Sequence, residues 1–394
     1  MRKNIKILLL SFYYPPDLSA GSFRVKSLVD SLILRNKNVS ITIVTTMPNR
    51  YESYKVNAKE YYENRNINIR RVKLPKHQSG IFDQIICFLY YAKFVLFKVR
   101  NEKYNIVFAS SSRLMTAYLG ALISKKFKIP LYLDIRDLFF DSISNIYKDK
   151  VPKFLLHIIR LIEKWTFQQA TIINLVSEGF IEDVQKISKK IRYRVFTNGI
   201  DNIFLEKDFK NSTLNTYPLN ILYAGNIGEG QGLDKIIPGI AMGLGDKAFF
   251  KVIGSGGAKP KLEEQLLQNN IKNVKLIEPV SRDDLFSHYR EAHILFLHLN
   301  DFDAFKKVLP SKFFEYVATG KHILAGVNGY AYKFFNDSID GVMTFKPCDV
   351  QGALNSINKF DFDEKISRSG FCKKYLRSSI MNRMADDIIK CCND

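Results

Sequence analysis

Residues Leu222-Tyr-Ala-Gly-Asn-Ile-Gly-Glu-Gly-Gln-Gly232 complete an apolar run that begins at Leu219 and lead into a helical pattern over Leu233–Met242. Four glycines within eight residues allow a ligand to approach the backbone closely, and the helix that follows begins with unpaired N–H groups. A strand, a glycine loop and a helix in this order are typical of an α/β domain with a parallel sheet.

The spacing of these glycines excludes two common nucleotide motifs. It is not the Gly-x-Gly-x-x-Gly of dinucleotide-binding proteins, and the chain has no Gly-Lys-Ser/Thr of a Walker loop. A second loop of the same kind, Val252-Ile-Gly-Ser-Gly-Gly257, also follows an apolar run. A glycine-rich turn without a ligand is the alternative interpretation of both loops.

Outward from this stretch, apolar runs alternate with helical patterns along nearly the whole chain. The predicted strands are Ile5–Ser11, Val39–Thr45, Ile67–Leu74, Ile106–Ser110, Leu131–Ile135, Thr171–Val176, Tyr193–Thr197, Leu219–Tyr223, Phe249–Ile253, Val274–Ile277, Ile294–Leu297, His322–Ala325 and Val342–Phe345. This alternation predicts α/β architecture with two doubly wound parallel sheets that face each other across a cleft. We expect domains at 1–205 and 206–364, and a C-terminal helical segment, 365–394, that packs back on the first domain.

A second informative stretch is Leu309-Pro-Ser-Lys-Phe-Phe-Glu-Tyr-Val-Ala-Thr-Gly320. Its proline and glycine predict a short helix with Ser311 in the first turn. Lys312 and Glu315 are three residues apart and share one face of that helix. A lysine at a helix N-terminus suits an anion, and a carboxylate suits a pair of hydroxyls, so phosphate and ribose together indicate a nucleotide. The alternative is an ordinary ion pair on a surface helix.

Composition indicates a folded intracellular protein without a metal centre. The chain of 394 residues is 46% hydrophobic and 13% aromatic, which excludes a disordered chain and favours two domains. Its five cysteines have no metal-ligand spacing, which favours a reducing compartment. The six histidines form no zinc-binding pattern, so we expect no metal site.

Positive charge is concentrated in the first half of the chain. Residues 1–205 contain 34 lysines and arginines against 16 acidic residues, whereas the remainder contains 25 against 23. The first half therefore predicts an anionic partner, for which nucleic acid, an anionic membrane surface and a phosphorylated substrate are candidates.

The segment Ile81–Val99 is long and apolar but contains Asp83, Lys93 and Lys98. Charges at bilayer depth cost about 2.5–3.5 kcal/mol each, which argues against a transmembrane span. We expect a helix that lies in the membrane interface, with the basic residues through Lys103 on lipid phosphates. A helix buried between domains is the alternative.

Two loops of the first half carry charged residues at predicted strand ends. One, Tyr13–Arg24, contains Gly21 and Arg24, and the other, Leu133–Asp141, contains Arg136 and Asp137. The carboxyl ends of parallel strands are where such sheets bind ligands. Structural Asp–Arg pairing is the alternative explanation.

Taken together, these motifs resemble the retaining glycosyltransferases of family 4, which have the GT-B fold, and are most similar to the N-acetyl-fucosaminyl-transferase-like branch of O-antigen and capsule biosynthesis. The resemblance covers nearly the whole chain. Its motifs are Tyr13-Tyr-Pro-Pro with Gly21 and Arg24, Arg136-Asp-Leu138, Thr197-Asn-Gly-Ile-Asp201, Tyr223-Ala-Gly-Asn-Ile-Gly228 and Pro310-Ser-Lys-Phe-Phe-Glu-Tyr316.

The resemblance implies specific roles. Glu315 binds the donor's ribose, Ser311 and Lys312 lie by the diphosphate, and Gly21 lets the first loop close over the sugar phosphate. Arg136 and Asp137 border the acceptor and the transferred sugar. The remaining donor-site positions that we predict are Arg24, Gly225, Asn226, Gly228, Gln231, Gly232 and Gly254.

The sequence departs from the family pattern at two places. Lys307 occupies the position of the first acid of the Glu-x7-Glu motif, and Asn226 and Gln231 occupy those of an Arg…Lys pair. The usual diphosphate clamp is therefore absent. The candidates for the missing positive charge are Lys312 and Arg24, followed by Lys307.

The implied activity is transfer of a sugar from a nucleotide diphosphate sugar, such as a UDP-activated N-acetyl hexosamine or deoxyhexosamine, to a polyprenyl-diphosphate-linked saccharide. No other cofactor and no nucleic acid are expected. The expected location is cytoplasmic, peripheral on the inner face of the cell membrane. The alternatives are a nucleotide-sugar 2-epimerase of the same fold and a basic protein that binds membranes or nucleic acid without catalysis.

Overall fold

The structure of the protein, a computed structural model, describes residues 4–49, 56–75, 81–111, 113–146, 151–187, 189, 191–209, 218–362 and 366–392. The chain forms two compact units, of which the first comprises 1–198 with 377–394 and the second comprises 199–376. The boundaries expected from the sequence fall at 205/206 and 364/365.

The described part of the first unit is built on an eight-stranded sheet in the order β3-β4-β2-β1-β5-β6-β7-β8. Its strands are β1 (Ile5–Leu10), β2 (Val39–Thr46), β3 (Tyr61–Glu63), β4 (Ile67–Val72), β5 (Ile106–Ser110), β6 (Leu131–Ile135), β7 (Ile172–Leu175) and β8 (Tyr193–Val195). Strands β5, β6 and β7 are buried along their whole length, as expected for a parallel sheet covered on both faces.

The helices of this part of the chain are α1 (Ala20–Arg35), α2 (Ile81–Val99), α3 (Leu114–Phe127), α4 (Phe139–Ile146), α5 (Lys153–Gln169) and α6 (Ile181–Ile187). The connection from β1 to β2 runs in one direction across the sheet, and those from β4 through β7 run in the other. Because such crossovers are right-handed, α1 covers one face, and α2, α3 and α5 cover the opposite face.

The second unit has a parallel six-stranded sheet among its described residues, in the order β11-β10-β9-β12-β13-β14. Its strands are β9 (Leu219–Ala224), β10 (Ala248–Ile253), β11 (Val274–Ile277), β12 (Ile294–His298), β13 (His322–Gly326) and β14 (Val342–Phe345). Its helices are α7 (Asn202–Glu206), α8 (Leu233–Leu244), α9 (Lys259–Gln268), α10 (Arg282–Glu291), α11 (Ser311–Ala318), α12 (Gly329–Ser338), α13 (Val350–Ile357) and α14 (Ser369–Lys374).

The chain then returns to the first unit through α15 (Arg377–Cys391), which packs against α1. Its inward residues Met381, Met384 and Ile388 are fully buried. The last helix is therefore part of the core of the first unit.

Two features of the fold differ from the sequence-based expectations. The exposed strand β3 was not predicted and pairs antiparallel with β4, so the first sheet is parallel except at this edge. The C-terminal segment expected to be helical, 365–394, contains two helices among its described residues, α14 and α15, separated by a break at Tyr375 and Leu376. Leu376 instead forms a bridge with Ile200.

The strand orders place one topological switch point in each sheet, between β1 and β5 and between β9 and β12. Parallel α/β sheets bind ligands outside the carboxyl ends of the strands at such points. The glycine loop at 225–232 follows β9 directly. Within the described residues, no helix combines the length and apolarity needed to span a membrane.

Candidate functional site

The two predicted glycine loops lie against each other at the carboxyl ends of β9 and β10. The Gly225 N–H donates a hydrogen bond to the Ile253 carbonyl at 2.8 Å, and the Ile227 N–H donates one to the Ser255 carbonyl at 3.0 Å. Gly225 and Gly254 have φ angles of 151° and 148°, and a Cβ on Gly254 would overlap the Gly225 carbonyl oxygen. Only glycine permits this backbone contact.

Lys312 extends from the first turn of α11 to the beginning of this loop. Its ammonium lies 3.3 Å from the Tyr223 hydroxyl oxygen and 4.8 Å from the centre of the Tyr223 ring. A Cβ on Gly225 would overlap the ammonium, so the lysine lies directly over the Gly225 backbone. This arrangement places a cation at the entrance of the glycine loop. Ser311, also predicted for the site, is partly exposed at the start of the same helix.

Asn226 and Gln231 meet across the loop. The Asn226 amide donates a hydrogen bond to the Gln231 side-chain oxygen at 2.9 Å, and the Gly228 N–H donates one to the same oxygen at 3.2 Å. The two residues that replace the family's basic pair therefore support the loop from inside. Gly232 ends the loop with φ of 55° at the N-cap of α8.

The end of β12 holds the same loop through residues that sequence reasoning missed. Three successive loop carbonyls are engaged: that of Gln231 by His298 Nδ1 at 2.6 Å, that of Gly230 by the Asn300 N–H at 2.9 Å, and that of Glu229 by the Asn300 side-chain amide at 2.8 Å. We call His298 and Asn300 the loop clamp. In the sequence, they could have been recognised as polar residues at the end of a buried strand.

The tautomer of His298 follows from its two partners. Nε2 accepts a hydrogen bond from the Cys348 N–H at 2.9 Å, so Nδ1 carries the proton and donates to the Gln231 carbonyl. Burial lowers the pKa of His298 to about 4, which keeps the ring neutral near pH 7.

Glu315 lies one turn along α11 from Lys312 and is partly buried. Burial raises the pKa of Tyr316 and of Tyr289, and the Glu315 carboxylate adds to both rises, so its charge is close to both rings. The Tyr316 hydroxyl accepts a hydrogen bond from the Ala224 N–H at 3.3 Å. This bond ties the helix that carries Lys312 and Glu315 to the end of β9.

In the first unit, Arg24 forms a buried network instead of an exposed anion site. Its guanidinium pairs with both oxygens of Asp134 at 2.9 and 3.0 Å and donates to the carbonyls of Phe196 and Thr197, each at 2.7 Å. The side chain is 2% exposed. Because these bonds use its donors inside the unit and the side chain is almost fully buried, Arg24 is not accessible to a donor phosphate.

Gly21, Arg136 and Asp137 form a second group in this unit. A Cβ on Gly21 would overlap the Arg136 guanidinium, so the first loop and the loop after β6 are in contact through this glycine. Burial lowers the pKa of Arg136. Burial also raises the pKa of Asp137 to about 6, and the neighbouring Arg136 opposes this rise. Asp137 therefore changes its charge just below neutral pH.

A buried glutamate that the sequence did not reveal positions this loop. One oxygen of Glu163, on α5, accepts hydrogen bonds from the N–H groups of Phe139 and Phe140 at 2.9 and 3.2 Å. These amides begin α4, two and three residues after Asp137, and the Glu163 oxygen pairs N–H groups that have no partner within the helix. Burial raises the pKa of Glu163 to about 7.

Known proteins match this chain either over a part of its length or over almost all of it. Residues 205–371 match the family model described as "Glycosyl transferases group 1". The "Putative colanic acid biosynthesis glycosyl transferase WcaI" of Escherichia coli (strain K12) is 31% identical over 112 residues, which cover 28% of this chain and 27% of that protein. The match therefore spans about a quarter of that relative's length.

Two comparisons cover almost the entire chain. The "Uncharacterized glycosyltransferase MJ1178" of Methanocaldococcus jannaschii is 24% identical over 379 residues, 94% of each protein. The crystal structure of Anabaena Alr3699/HepE in complex with UDP and glucose superposes with a TM-score of 0.68 at 13% identity, covering 98% of this chain and 100% of that one. Residues 205–371 thus resemble a glycosyl transferases group 1 domain, within a chain that has the GT-B fold with two parallel-sheet α/β domains.

Proposed function

We propose that the protein is a retaining glycosyltransferase of the family 4 type, in the branch of the N-acetyl-fucosaminyl transferases. Its donor is a UDP-activated N-acetyl hexosamine or deoxyhexosamine, and its acceptor is a polyprenyl-diphosphate-linked saccharide of O-antigen or capsule biosynthesis. The observation that carries this proposal is the Lys312 ammonium above the Gly225 backbone, where two glycine loops meet.

The donor's diphosphate binds at the glycine loop. Lys312 supplies a positive charge above Gly225, and the absence of side chains on the loop glycines lets neighbouring side chains, Lys312 among them, lie directly against the loop backbone. Gly254, in the second glycine loop, lies against Gly225 and lines the same site. Ser311 is at the N-terminus of α11, where partial positive charge favours anions. Glu315 accepts hydrogen bonds from the ribose hydroxyls.

In the transfer, the bond between the sugar's anomeric carbon and the donor phosphate breaks, and a bond to the acceptor oxygen forms on the same face. The acceptor's proton passes to an oxygen of the departing phosphate. Lys312 stabilises the negative charge that develops on the diphosphate, which is the electrostatic contribution that lowers the barrier. Arg136 and Asp137 bind the acceptor and the transferred sugar, with Gly21 allowing the first loop to approach.

The relatives support this choice of donor and pathway. The Anabaena structure contains UDP and glucose, and the name of the Escherichia coli relative refers to colanic acid, a polysaccharide. We further propose that the protein works in the cytoplasm, peripherally on the inner face of the membrane, with Ile81–Lys103 and the basic first half of the chain on anionic lipid.

The experiment is a nucleotide screen followed by turnover. Because a ligand that binds the native state raises its melting temperature, UDP should stabilise the protein more than GDP or ADP. Individual UDP-sugars are then assayed with and without a polyprenyl-diphosphate saccharide. Acceptor-dependent release of UDP supports the transferase, and acceptor-independent epimerisation contradicts it. A protein that no nucleotide stabilises would refute the donor site itself.

A further inference from the structure

Three helices of the first unit expose apolar side chains on the same face of the sheet. Eleven of the eighteen large hydrophobic side chains that are exposed among the described residues belong to α2, α3 and α5. They are Ile85, Ile86, Leu89, Tyr90, Leu96, Phe97, Leu122, Phe154, Leu155, Ile158 and Leu161. We call this set the three-helix face. Both α2 and α5 pack against α3, and Leu122 lies on α3 between them.

The part on α5 was not predicted from the sequence. Phe154, Ile158 and Leu161 follow the spacing of one helical stripe, which ordinarily indicates a core-facing surface. In the structure they are exposed by 64, 46 and 52%. The buried side of α5 is formed instead by Glu163, Thr166 and Phe167. A contiguous apolar surface of this kind marks an interaction site.

The charges on the same helices identify the kind of partner. Helices α2, α3 and α5 carry seven lysines and arginines against two acidic residues, and one of the two, Glu163, is buried. None of these seven cations takes part in an ion pair between described residues. Unpaired cations around an apolar surface match the phosphates and acyl chains of an anionic bilayer.

Several of these cations lie on aromatic rings at the edge of the face. The Lys98 ammonium is 4.9 Å from the centre of the Tyr61 ring, and the Arg160 guanidinium is 5.3 Å from that of Phe140. The Lys125 ammonium is 5.5 Å from that of Trp165. Basic groups with apolar stems beside aromatic rings are typical of the bilayer interface, where the stem is buried and the charge reaches the headgroups.

We propose that the three-helix face, with α5 as a second docking helix beside α2, binds an anionic lipid bilayer. This inference deepens the membrane part of the proposed function. It also connects the bilayer to the acceptor-side loop, since the Glu163 carboxylate on the inner side of α5 holds the amides that follow Asp137. An acceptor anchored in lipid is then presented about one helix diameter from that loop.

The test is co-sedimentation of the full-length protein with phosphatidylcholine vesicles, with and without phosphatidylglycerol, at low and high salt. We expect binding only to the anionic vesicles and a loss of binding at high salt. The variant Phe154→Ser/Ile158→Ser should bind at least about tenfold more weakly, since each residue removes a large apolar group from the lipid contact. The charge variant Lys153→Glu/Arg160→Glu should also weaken binding.

Two matched controls lie outside the three-helix face. Leu34→Ser removes an apolar side chain that is 73% exposed on α1, on the opposite face of the sheet, and Lys37→Glu reverses an exposed charge. Both should bind vesicles like the unmodified protein. Thermal stabilisation by UDP, measured on every variant, reports the donor site separately from lipid binding.

The inference is overturned if the α5 variants bind vesicles normally while Leu89→Ser/Phe97→Ser on α2 does not, because α2 alone then docks. It is equally overturned if α5 variants dissociate a dimer in sedimentation velocity without affecting vesicle binding, because the face then pairs two copies. If UDP stabilises neither the unmodified protein nor any of the variants while vesicle binding follows the expected pattern, the proposed donor is refuted. The inference about the three-helix face is then unaffected.

Discussion

At the level of single residues, Lys312 is the cation that the donor site depends on most. The side chains that replace the usual basic pair, Asn226 and Gln231, bond to each other, and Arg24 is buried in its pair with Asp134. We expect Lys312→Ala to lower kcat/KM for the donor sugar by about a hundredfold, because one group that stabilises the developing charge is lost. The control is Lys333→Ala, which removes an exposed lysine of α12. Equal turnover of the two variants would show that Lys312 is not in the site.

The pH dependence of transfer tests Asp137. Its pKa is raised to about 6 by burial, so the carboxyl group is ionised above and protonated below that pH. If the ionised form is needed, kcat/KM falls as the pH drops through about 6. We expect Asp137→Asn to lower kcat/KM and to abolish this acid limb. An acid limb that persists in the variant would assign the titration to another group.

Glu163 provides a prediction about stability. Its pKa in the folded protein, about 7, exceeds the ordinary 4.5, so folding favours the protonated form. The contribution of this group to the free energy of unfolding is complete below about pH 4.5 and is lost as the pH rises through 7. The total loss is about 3 kcal/mol. Glu163→Gln keeps an oxygen for the Phe139 and Phe140 amides but does not ionise. Denaturant unfolding at pH 5 and pH 8 should therefore show a gain for the variant, relative to the unmodified protein, only at the higher pH.

At the level of elements, the glycine loop depends on the end of β12. His298 and Asn300 engage the carbonyls of residues 229–231, and this fixes the path of the backbone ahead of α8. We expect His298→Ala to weaken UDP binding and raise the KM of the donor by about tenfold, with a smaller change in kcat, because an interaction that orders the loop is lost. His298→Asn retains a donor near the Nδ1 position and should recover part of the affinity. Calorimetric titration measures the affinity of each variant for UDP, and steady-state kinetics measures the KM of the donor. An unchanged UDP affinity in His298→Ala would contradict the role of the loop clamp.

Sequence patterns predicted most elements because buried parallel strands and amphipathic helices have distinct apolar periods. Strand β3 was not predicted because its three residues, Tyr61–Glu63, are all exposed at the edge of the sheet and therefore show no pattern of buried apolar residues. The stripe on α5 has a core-like period, yet it faces outward. A period reports that a helix has an apolar side and does not report what covers it.

At the level of the whole molecule, the first unit is completed by the C-terminal helix. Met381, Met384 and Ile388 of α15 are fully buried, and α15 packs on α1. A chain that ends at Leu376 exposes α1. Its first unit loses about 1.5–3 kcal/mol of stabilising free energy for each large apolar side chain removed from the core. We expect the truncated chain to lose the cooperative unfolding of the first unit in calorimetry. Stabilisation by UDP should persist, since the glycine loop and Lys312 belong to the second unit. Loss of the UDP response together with the first transition would contradict this independence.

The amino-acid sequence determined the α/β class, the two-domain organisation we expect, the glycine loops and the motif of Lys312 and Glu315. These are local properties, set by apolar period, by glycine content and by spacing along one helix. The tertiary structure decided which of the charged residues have exposed surface. Arg24 and Lys312 are equally basic in sequence, but Arg24 meets Asp134 across 110 positions and is buried, whereas Lys312 remains partly exposed over the glycine loop. Burial and long-range pairing depend on which strands become neighbours, and a linear pattern does not contain that information.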